Sequence, residues 1–222
     1  KHIAIMDQFD PEKRIGLSVD EWGTWFNVEE GTNPGFLYQQ STVRDALVAG
    51  ISLNILNKHC DRVRMACIAQ MVNVLQAVIL TDGERMLKTP TWHVFNQYKH
   101  HQGAELLESS LSDAGEYQAT YKEQTHKAPK ITESVSEKDG IITITLNNAM
   151  LDEEQEISVS FAEDTDRKVV EATVVTSGDV HDHNTFDAPK TVHTEEFKAY
   201  QEGGRSLTLT LPKASVVMLR VK

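Results

Sequence analysis

The sequence predicts two architectures in one chain: a βαβα unit with parallel strands, followed by an antiparallel β-sandwich. Three observations carry this reading. Before residue 108, short apolar runs alternate with segments of helical spacing. After residue 116 the hydrophobic period switches to two. Between them lies Glu108-Ser109-Ser110-Leu111-Ser112-Asp113-Ala114-Gly115, a polar stretch of small residues that suits a domain boundary.

The first part reads as follows. Ile15 to Val19 is short, apolar and bounded by polar residues, as a buried strand would be. Ser41 is placed to cap a helix over Thr42 to Asn57, where Val43, Leu47, Ile51 and Ile55 recur at helical spacing and Leu53 and Leu56 widen the stripe. Val63 to Ile68 is a second strand. Asn73 to Leu80 is apolar and fits either type, and Asp82-Gly83 signals a turn. Pro90 suits the first turn of a closing helix through Trp92, Phe95 and Tyr98.

The second part reads as strands throughout: Tyr117 to Glu123, Ile131 to Glu137, Ile141 to Leu146, Ile157 to Phe161, Val169 to Val175, Leu207 to Leu211 and Ser215 to Val221. Asp139-Gly140 and Gly203-Gly204 are turn signals between them. Seven or more short strands in about 105 residues suit a sandwich of Greek-key or jelly-roll type, able to fold alone.

Composition narrows the function classes. The chain has 222 residues, 40% hydrophobic and 25% charged, with a net charge of −11. That charge opposes phosphate binding, so no nucleic-acid partner is expected. It is uneven: residues 1–112 hold 10 Lys/Arg and 13 Asp/Glu, a net of −3, and residues 113–222 hold 12 and 20, a net of −8. This shift coincides with the change of period and divides the chain at 112/113. No apolar run approaches the ~18 residues of a membrane span, so no membrane partner is expected. The opening Lys1-His2-Ile3-Ala4-Ile5-Met6-Asp7 lacks a secretion signal and reads as a segment whose N-terminal part is absent, more in keeping with the cytoplasm than with secretion. Cys60 and Cys67 cannot make a disulfide framework and are expected to be buried thiols.

The candidate chemistry stands directly after the first strand, in Asp20-Glu21-Trp22-Gly23-Thr24-Trp25. A carboxylate at a strand end between two indoles suits a sugar-cleaving site, because the rings offer flat apolar faces and the acid offers a nucleophile. In (β/α)8 barrels the catalytic groups stand at the carboxyl ends of strands. The plain alternative is an exposed acid beside two core tryptophans. Elsewhere the signals are weak. His181-Asp182-His183 lacks the further ligands that zinc needs, Asp152-Glu153-Glu154-Gln155-Glu156 lacks the spacing of a calcium loop, and no phosphate-cradling or nucleophile-elbow motif occurs. No metal or cofactor is expected. His93 is expected to help seat the closing helix, and His100-His101 to lie at the surface.

Several blocks, in order, resemble the family 51 glycoside hydrolases, the α-L-arabinofuranosidases. They are Leu17-Ser18-Val19-Asp20-Glu21-Trp22; Gly35-Phe36-Leu37-Tyr38-Gln39-Gln40; Arg44-Asp45-Ala46-Leu47-Val48-Ala49; Asp61 through Asn73; Thr89-Pro90-Thr91-Trp92-His93-Val94-Phe95; and Asn184-Thr185-Phe186-Asp187-Ala188-Pro189. The resemblance spans nearly the whole chain. It implies that residues 1–112 are the seventh and eighth strands of a (β/α)8 barrel with their helices, that the first six strands lie outside this chain, and that residues 113–222 are the C-terminal β-sandwich. A quarter of a barrel exposes both strand edges, so the first part is expected to depend on the missing part or on another chain.

The resemblance also implies roles. Glu21 would be the nucleophile of a retaining mechanism, its acid/base partner a glutamate outside this chain. Adjacent Asp20 would point to the other strand face and be structural. Gln70 would bond the sugar or hold the nucleophile, or else be a helix-capping or buried structural amide. Trp25 would stack on the leaving-group side or pack in the core. Trp22 would pack behind Glu21 more than touch substrate, and Asn73 would line the pocket or support it. The activity implied is exo-acting removal of arabinofuranosyl residues from arabinan or arabinoxylan, with a homo-oligomer as a candidate assembly. Two other readings stand beside it: a noncatalytic segment whose sandwich is structural or sugar-binding, and a related barrel glycosidase acting on another glycan.

Overall fold

In the computed structural model, which describes residues 1–162 and 166–222, both expected architectures are present. Helix α1 (His2–Phe9) precedes strand β1 (Leu17–Trp22), helix α2 (Val43–Lys58) and strand β2 (Val63–Ile68). Strands β1 and β2 pair in parallel, from Leu17 opposite Val63 to Trp22 opposite Ile68. A hairpin of β3 (Ile79–Asp82) and β4 (Arg85–Lys88) then leads into helix α3 (Pro90–Tyr98). The turn of that hairpin is the expected Asp82-Gly83, with Gly83 at φ 57°. Residues 73–80, which by sequence fit either helix or strand, form strand only from Ile79 onward. Helix α1 had no counterpart in the sequence reading. It is tied down by Arg62, which is fully buried and donates to the carboxylates of Asp7 and Asp10 and to the carbonyl oxygens of Asp10 and Ile15.

The rest is antiparallel. Its strands are β5 (Glu105–Leu106), β6 (Glu116–Tyr121), β7 (Gln124–Pro129), β8 (Ile131–Lys138), β9 (Ile141–Asn148), β10 (Gln155–Ser160), β11 (Val169–Val175), β12 (Thr194–Glu196), β13 (Tyr200–Glu202), β14 (Ser206–Leu211) and β15 (Ser215–Val221). A six-stranded sheet runs β12-β11-β15-β9-β8-β5 and a three-stranded sheet runs β10-β14-β13. They enclose one core in which Ile142, Ile144, Leu146, Val217, Leu219 and Val221 meet Leu207, Leu209 and Leu211. The alternation in Ser-Leu-Thr-Leu-Thr-Leu of β14 is the reason: each leucine is fully buried, and each such burial is worth roughly 1.5–3 kcal/mol. Strand β6 is one arm of a free-standing hairpin with β7, an arm the sequence reading did not separate.

The other face of the six-stranded sheet is covered by α2 and α3. The face is unusual in being largely polar: Thr132, Ser134, Ser136, Thr143, Thr145 and Asn147 are all buried there. Their hydroxyls and amides are matched by helix side chains. Asn54 Oδ1 accepts from Ser134 Oγ at 2.9 Å, Thr145 Oγ1 at 2.8 Å and the Tyr98 hydroxyl at 2.8 Å, while Asn54 Nδ2 donates to Thr132 Oγ1 at 3.1 Å. Val43, Ala46, Leu47 and Ala49 of α2 join Val94, Tyr98, Val175 and Val216 in the apolar part of the seam. Residues 113–222 on their own would expose this face.

Several sequence expectations change here. The N-cap of α2 is Thr42, one residue on from Ser41. Thr42 Oγ1 accepts from the Arg44 N–H, the Asp45 carboxylate accepts from the Thr42 N–H, and Ser41 Oγ turns to Thr91 Oγ1 instead. The buried face of α2 runs through Ala46, Ala49, Gly50 and Asn54, whereas Ile55 is exposed, because small residues are what let the helix approach the sheet. Cys60 is exposed in the turn after α2 and Cys67 is only half-buried, so neither is a core thiol. His101 is not a surface residue: it follows α3 in a 3-10 turn and sits against the sheet, Nδ1 2.7 Å from Ser136 Oγ and Nε2 3.1 Å from Thr145 Oγ1. His93 does seat α3, with Nδ1 accepting from the Thr194 N–H at 3.2 Å.

The close approach of α2 is tested at Gly50, where an added Cβ would stand 2.6 Å from Asn147 Nδ2 and 3.1 Å from a Val216 methyl. Gly50→Ala gains up to about 1 kcal/mol of helix propensity but overpacks the seam by roughly 1–3 kcal/mol, so a net loss of about 1–2 kcal/mol is expected in urea unfolding. A variant as stable as the parent would refute the contact. His101 gives a second test. Burial, reinforced by neighbouring His100, holds its imidazole down to about 4 from 6.5. The unfolded chain therefore binds a proton that the folded chain refuses, so stability is full above pH 6.5 and declines as pH falls to 4. The single-site contribution is up to about 3 kcal/mol, and His101→Gln should flatten this part of the stability–pH curve.

Candidate active site

Glu21 is the penultimate residue of β1, at its carboxyl end, with an exposed side chain. Pairing continues just past the strands, where the Ala69 N–H donates to Trp22 O at 2.8 Å. This fixes Glu21 relative to the end of β2. A shallow cleft of about 320 Å³ opens there, lined by Glu21, Trp22, Gly23, Thr24, Trp25, Ala69 and Leu75. Glu21 is the one carboxylate among those lining residues. Asp20 is also exposed, and the pairing register is irregular between Val19 and Trp22, so simple alternation does not separate the two acids by burial.

The other candidates divide. Trp25 lies three residues beyond the strand and is 66% exposed, so it is not a core residue. Trp22 is half-buried and stacks on Phe95, with ring centroids 6.0 Å apart and planes 10° apart, and its ring packs on the α2–α3 seam. Gln70 follows the cleft-lining Ala69 in the chain and is exposed, but is not itself among the lining residues. Asn73 adopts φ 62° and is committed to the hairpin: its Oδ1 accepts from the Thr81 N–H at 2.6 Å and its Nδ2 donates to Thr81 Oγ1 at 2.9 Å. The cleft thus brings together Glu21, Trp22 and Trp25; Gln70 is not among its lining residues, and Asn73 is turned to Thr81.

A buried polar cluster beneath the cleft was not read from the sequence. Asp45 and Gln76 are fully buried and Gln39 nearly so. Thr24 Oγ1 donates to Asp45 Oδ1 at 2.6 Å, the Thr24 N–H donates to Gln76 Oε1 at 2.9 Å, and the Phe26 N–H donates to Gln39 Oε1 at 2.8 Å. The available signal was a lone amide inside an apolar run, Leu75-Gln76-Ala77-Val78. Such a residue needs a buried partner, but nothing in the local sequence says that the partner is Thr24, 52 residues away.

A protein-family model, the alpha-L-arabinofuranosidase C-terminal domain, matches residues 20–215. The chain belongs to this family. It is 41% identical over its whole length to an intracellular exo-alpha-L-arabinofuranosidase of Bacteroides ovatus, spanning 42% of that protein. Its fold matches the GH51 arabinofuranosidase from Xanthomonas axonopodis pv. citri, with a TM-score of 0.91 and 42% identity over all of this chain and 44% of that one. An arabinofuranosidase from Thermotoga maritima, solved with arabinose, shares the fold at a TM-score of 0.79 and 18% identity over 97% of this chain and 45% of that one. The chain therefore spans less than half the length of these relatives. The fold is that of the C-terminal region of family 51 enzymes, and the two parallel strands form no closed barrel. No helix among the described residues is long and apolar enough to cross a membrane.

Proposed function

We propose that this chain carries the nucleophile-bearing part of a retaining exo-α-L-arabinofuranosidase. The observation that supports this most directly is the exposed Glu21 carboxylate at the carboxyl end of a parallel strand, in a cleft it shares with the exposed Trp25 ring, in a chain of this family. In the proposed reaction Glu21 attacks the anomeric carbon of a terminal arabinofuranosyl residue, the glycosidic bond breaks, and a covalent glycosyl-enzyme forms. The leaving oxygen takes a proton from a carboxylic acid outside this chain. The same group then deprotonates the water that displaces Glu21. Gln70 bonds the bound sugar, Trp25 offers a stacking face on the leaving-group side, Trp22 supports the strand end from behind, and Asn73 supports the cleft through the hairpin.

The proposal extends to the whole protein. Its substrates are arabinose-containing oligosaccharides or polysaccharides, it works in the cytoplasm, and its assembly is a homo-oligomer. The chain divides near residue 112 into a barrel part, 1–112, and a sandwich part, 113–222; the parallel β1–β2 pair in the first part and the two antiparallel sheets that enclose one core in the second support that division, and β5 is the one strand of the first part that joins the sandwich sheet. The rest of the barrel supplies the acid and covers the free edges of the β1–β2 pair.

The test is hydrolysis of an aryl α-L-arabinofuranoside by the full-length protein and its Glu21→Ala variant. Loss of a nucleophile should lower kcat/KM by roughly 10⁴-fold or more, about 5 kcal/mol. Azide should restore turnover by entering the vacated face, giving an inverted β-glycosyl azide. An active parent with an unimpaired variant would falsify the assignment of Glu21. Without an acid to protonate a sugar leaving group, the 222-residue chain alone should give no turnover of a natural arabinoside. Measurable arabinose release by that purified chain would remove the claim that the acid lies elsewhere.

A further inference from the structure

The polar cluster beneath the cleft grips the chain on both sides of Trp25. On one side Thr24 is held twice, by its N–H on Gln76 Oε1 at 2.9 Å and by its hydroxyl on Asp45 Oδ1 at 2.6 Å. Gln39 Nε2 donates back to Thr24 Oγ1 at 3.0 Å, so both hydrogen-bonding roles of the hydroxyl are filled. On the other side the Phe26 N–H donates to Gln39 Oε1 at 2.8 Å, and the Arg44 guanidinium lies 3.7 Å above the Phe26 ring. The clamp is itself braced. Gln76 Nε2 donates to the Asp45 carbonyl oxygen at 2.7 Å and to Thr91 Oγ1 at 3.2 Å, and Asp45 Oδ2 accepts from the Thr42 N–H at 2.8 Å. Gly23, at φ 142°, lets the chain leave the strand where a Cβ would stand 3.3 Å from Gln76 Oε1.

So much buried hydrogen bonding for one exposed turn asks for a reason, and Trp25 is the residue it presents. An exposed aromatic ring on a free loop must be ordered when a ligand stacks on it, which weakens binding; a ring on a fixed backbone avoids most of that cost. Glu21 lies within β1 itself, between Val19 and Trp22, which pair with Ala66 and Ile68 of β2.

We propose that Thr24, Gln39, Asp45 and Gln76 form a positioning clamp that fixes Trp25 as the platform for the sugar ring on the leaving-group side of the bond cut at Glu21. The clamp sets preference among glycosides by what lies beyond the cleaved bond, and it leaves the chemical step at Glu21 untouched. This rests on the reading of Glu21 given above.

The test uses the full-length protein and two substrates: an arabino-oligosaccharide, and methyl α-L-arabinofuranoside, which has no ring on the leaving-group side. Thr24→Val removes the hydroxyl at nearly constant volume. KM for the oligosaccharide should rise about tenfold with kcat changed less than about threefold, and kcat/KM for the methyl glycoside should change less than about threefold. Thr24→Ser should restore the oligosaccharide KM. Trp25→Ala should raise the same KM, and adding Thr24→Val to it should raise it no further, because the clamp acts through the ring. Gln39→Met, which removes the amide at similar volume, should show the same split and serves if Thr24→Val does not fold. Equal losses on both substrates, no loss on either, or additivity with Trp25→Ala would overturn the clamp while Glu21→Ala remains inactive. An active Glu21→Ala enzyme would instead retire the Glu21 reading, and the clamp proposal with it.

Discussion

The burial of helix α2 against the six-stranded sheet is the constraint on which the remaining structure depends. Its middle is pressed to the sheet through Gly50 and Asn54, and its C-terminal end reaches the same sheet through Lys58, which pairs with Glu133. Its first turn also reaches the cleft side through one residue. Asp45, the third residue of the helix, accepts from the Thr42 N–H that starts the helix and from the Thr24 hydroxyl of the turn after β1. One carboxylate therefore serves helix capping and loop placement, and it can do so only because the helix is locked in position and rotation by the sheet behind it. The route from sandwich to cleft is short and consists of packed atoms.

That seam is polar for a physical reason. Strands β8 and β9 carry Thr, Ser and Asn on the helix side and Ile and Leu on the core side. An apolar outer face would bind helices without fixing their register, whereas a buried hydroxyl must find its partner or cost about 1–3 kcal/mol. Asn54, accepting three hydrogen bonds at one oxygen, ties β8, β9 and α3 to a single point of α2. The same dry surroundings keep His101 neutral.

The parallel pair β1–β2 has a different status. It is a two-stranded strip, and a cluster of large apolar residues near it is exposed, with Phe9 at 85%, Ile15 at 64% and Met65 at 53%. Two parallel strands do not make a stable sheet by themselves. What this chain itself contributes to the geometry of the cleft comes from α2 and the loops beneath, and the chain spans less than half the length of the relatives it matches.

How much of this was legible in the sequence follows from the range of each interaction. Strand alternation in β9, β14 and β15, the turns at Asp82-Gly83 and Asp139-Gly140, and Pro90 at the start of α3 are encoded within a few residues, and they determined the two architectures. The ordered blocks around Glu21 determined the family. The N-cap at Thr42 was missed by one residue because adjacent Ser41 and Thr42 both offer a hydroxyl cap, and the reciprocal bonds of Thr42 with Arg44 and Asp45, with Ser41 turned to Thr91, decide between them. The exposure of Cys60, the partial burial of His101 and the rotation of α2 toward Ala46, Ala49 and Gly50 depended on which surface the helices meet. The clamp on Thr24 needed four segments, at 24–26, 39, 45 and 76, to converge. Local periodicity and turn chemistry are properties of neighbours along the chain, so the sequence by itself determined the elements and their family. Partner choice for buried polar groups is a property of neighbours in space, so the tertiary structure alone decided what holds the cleft in place.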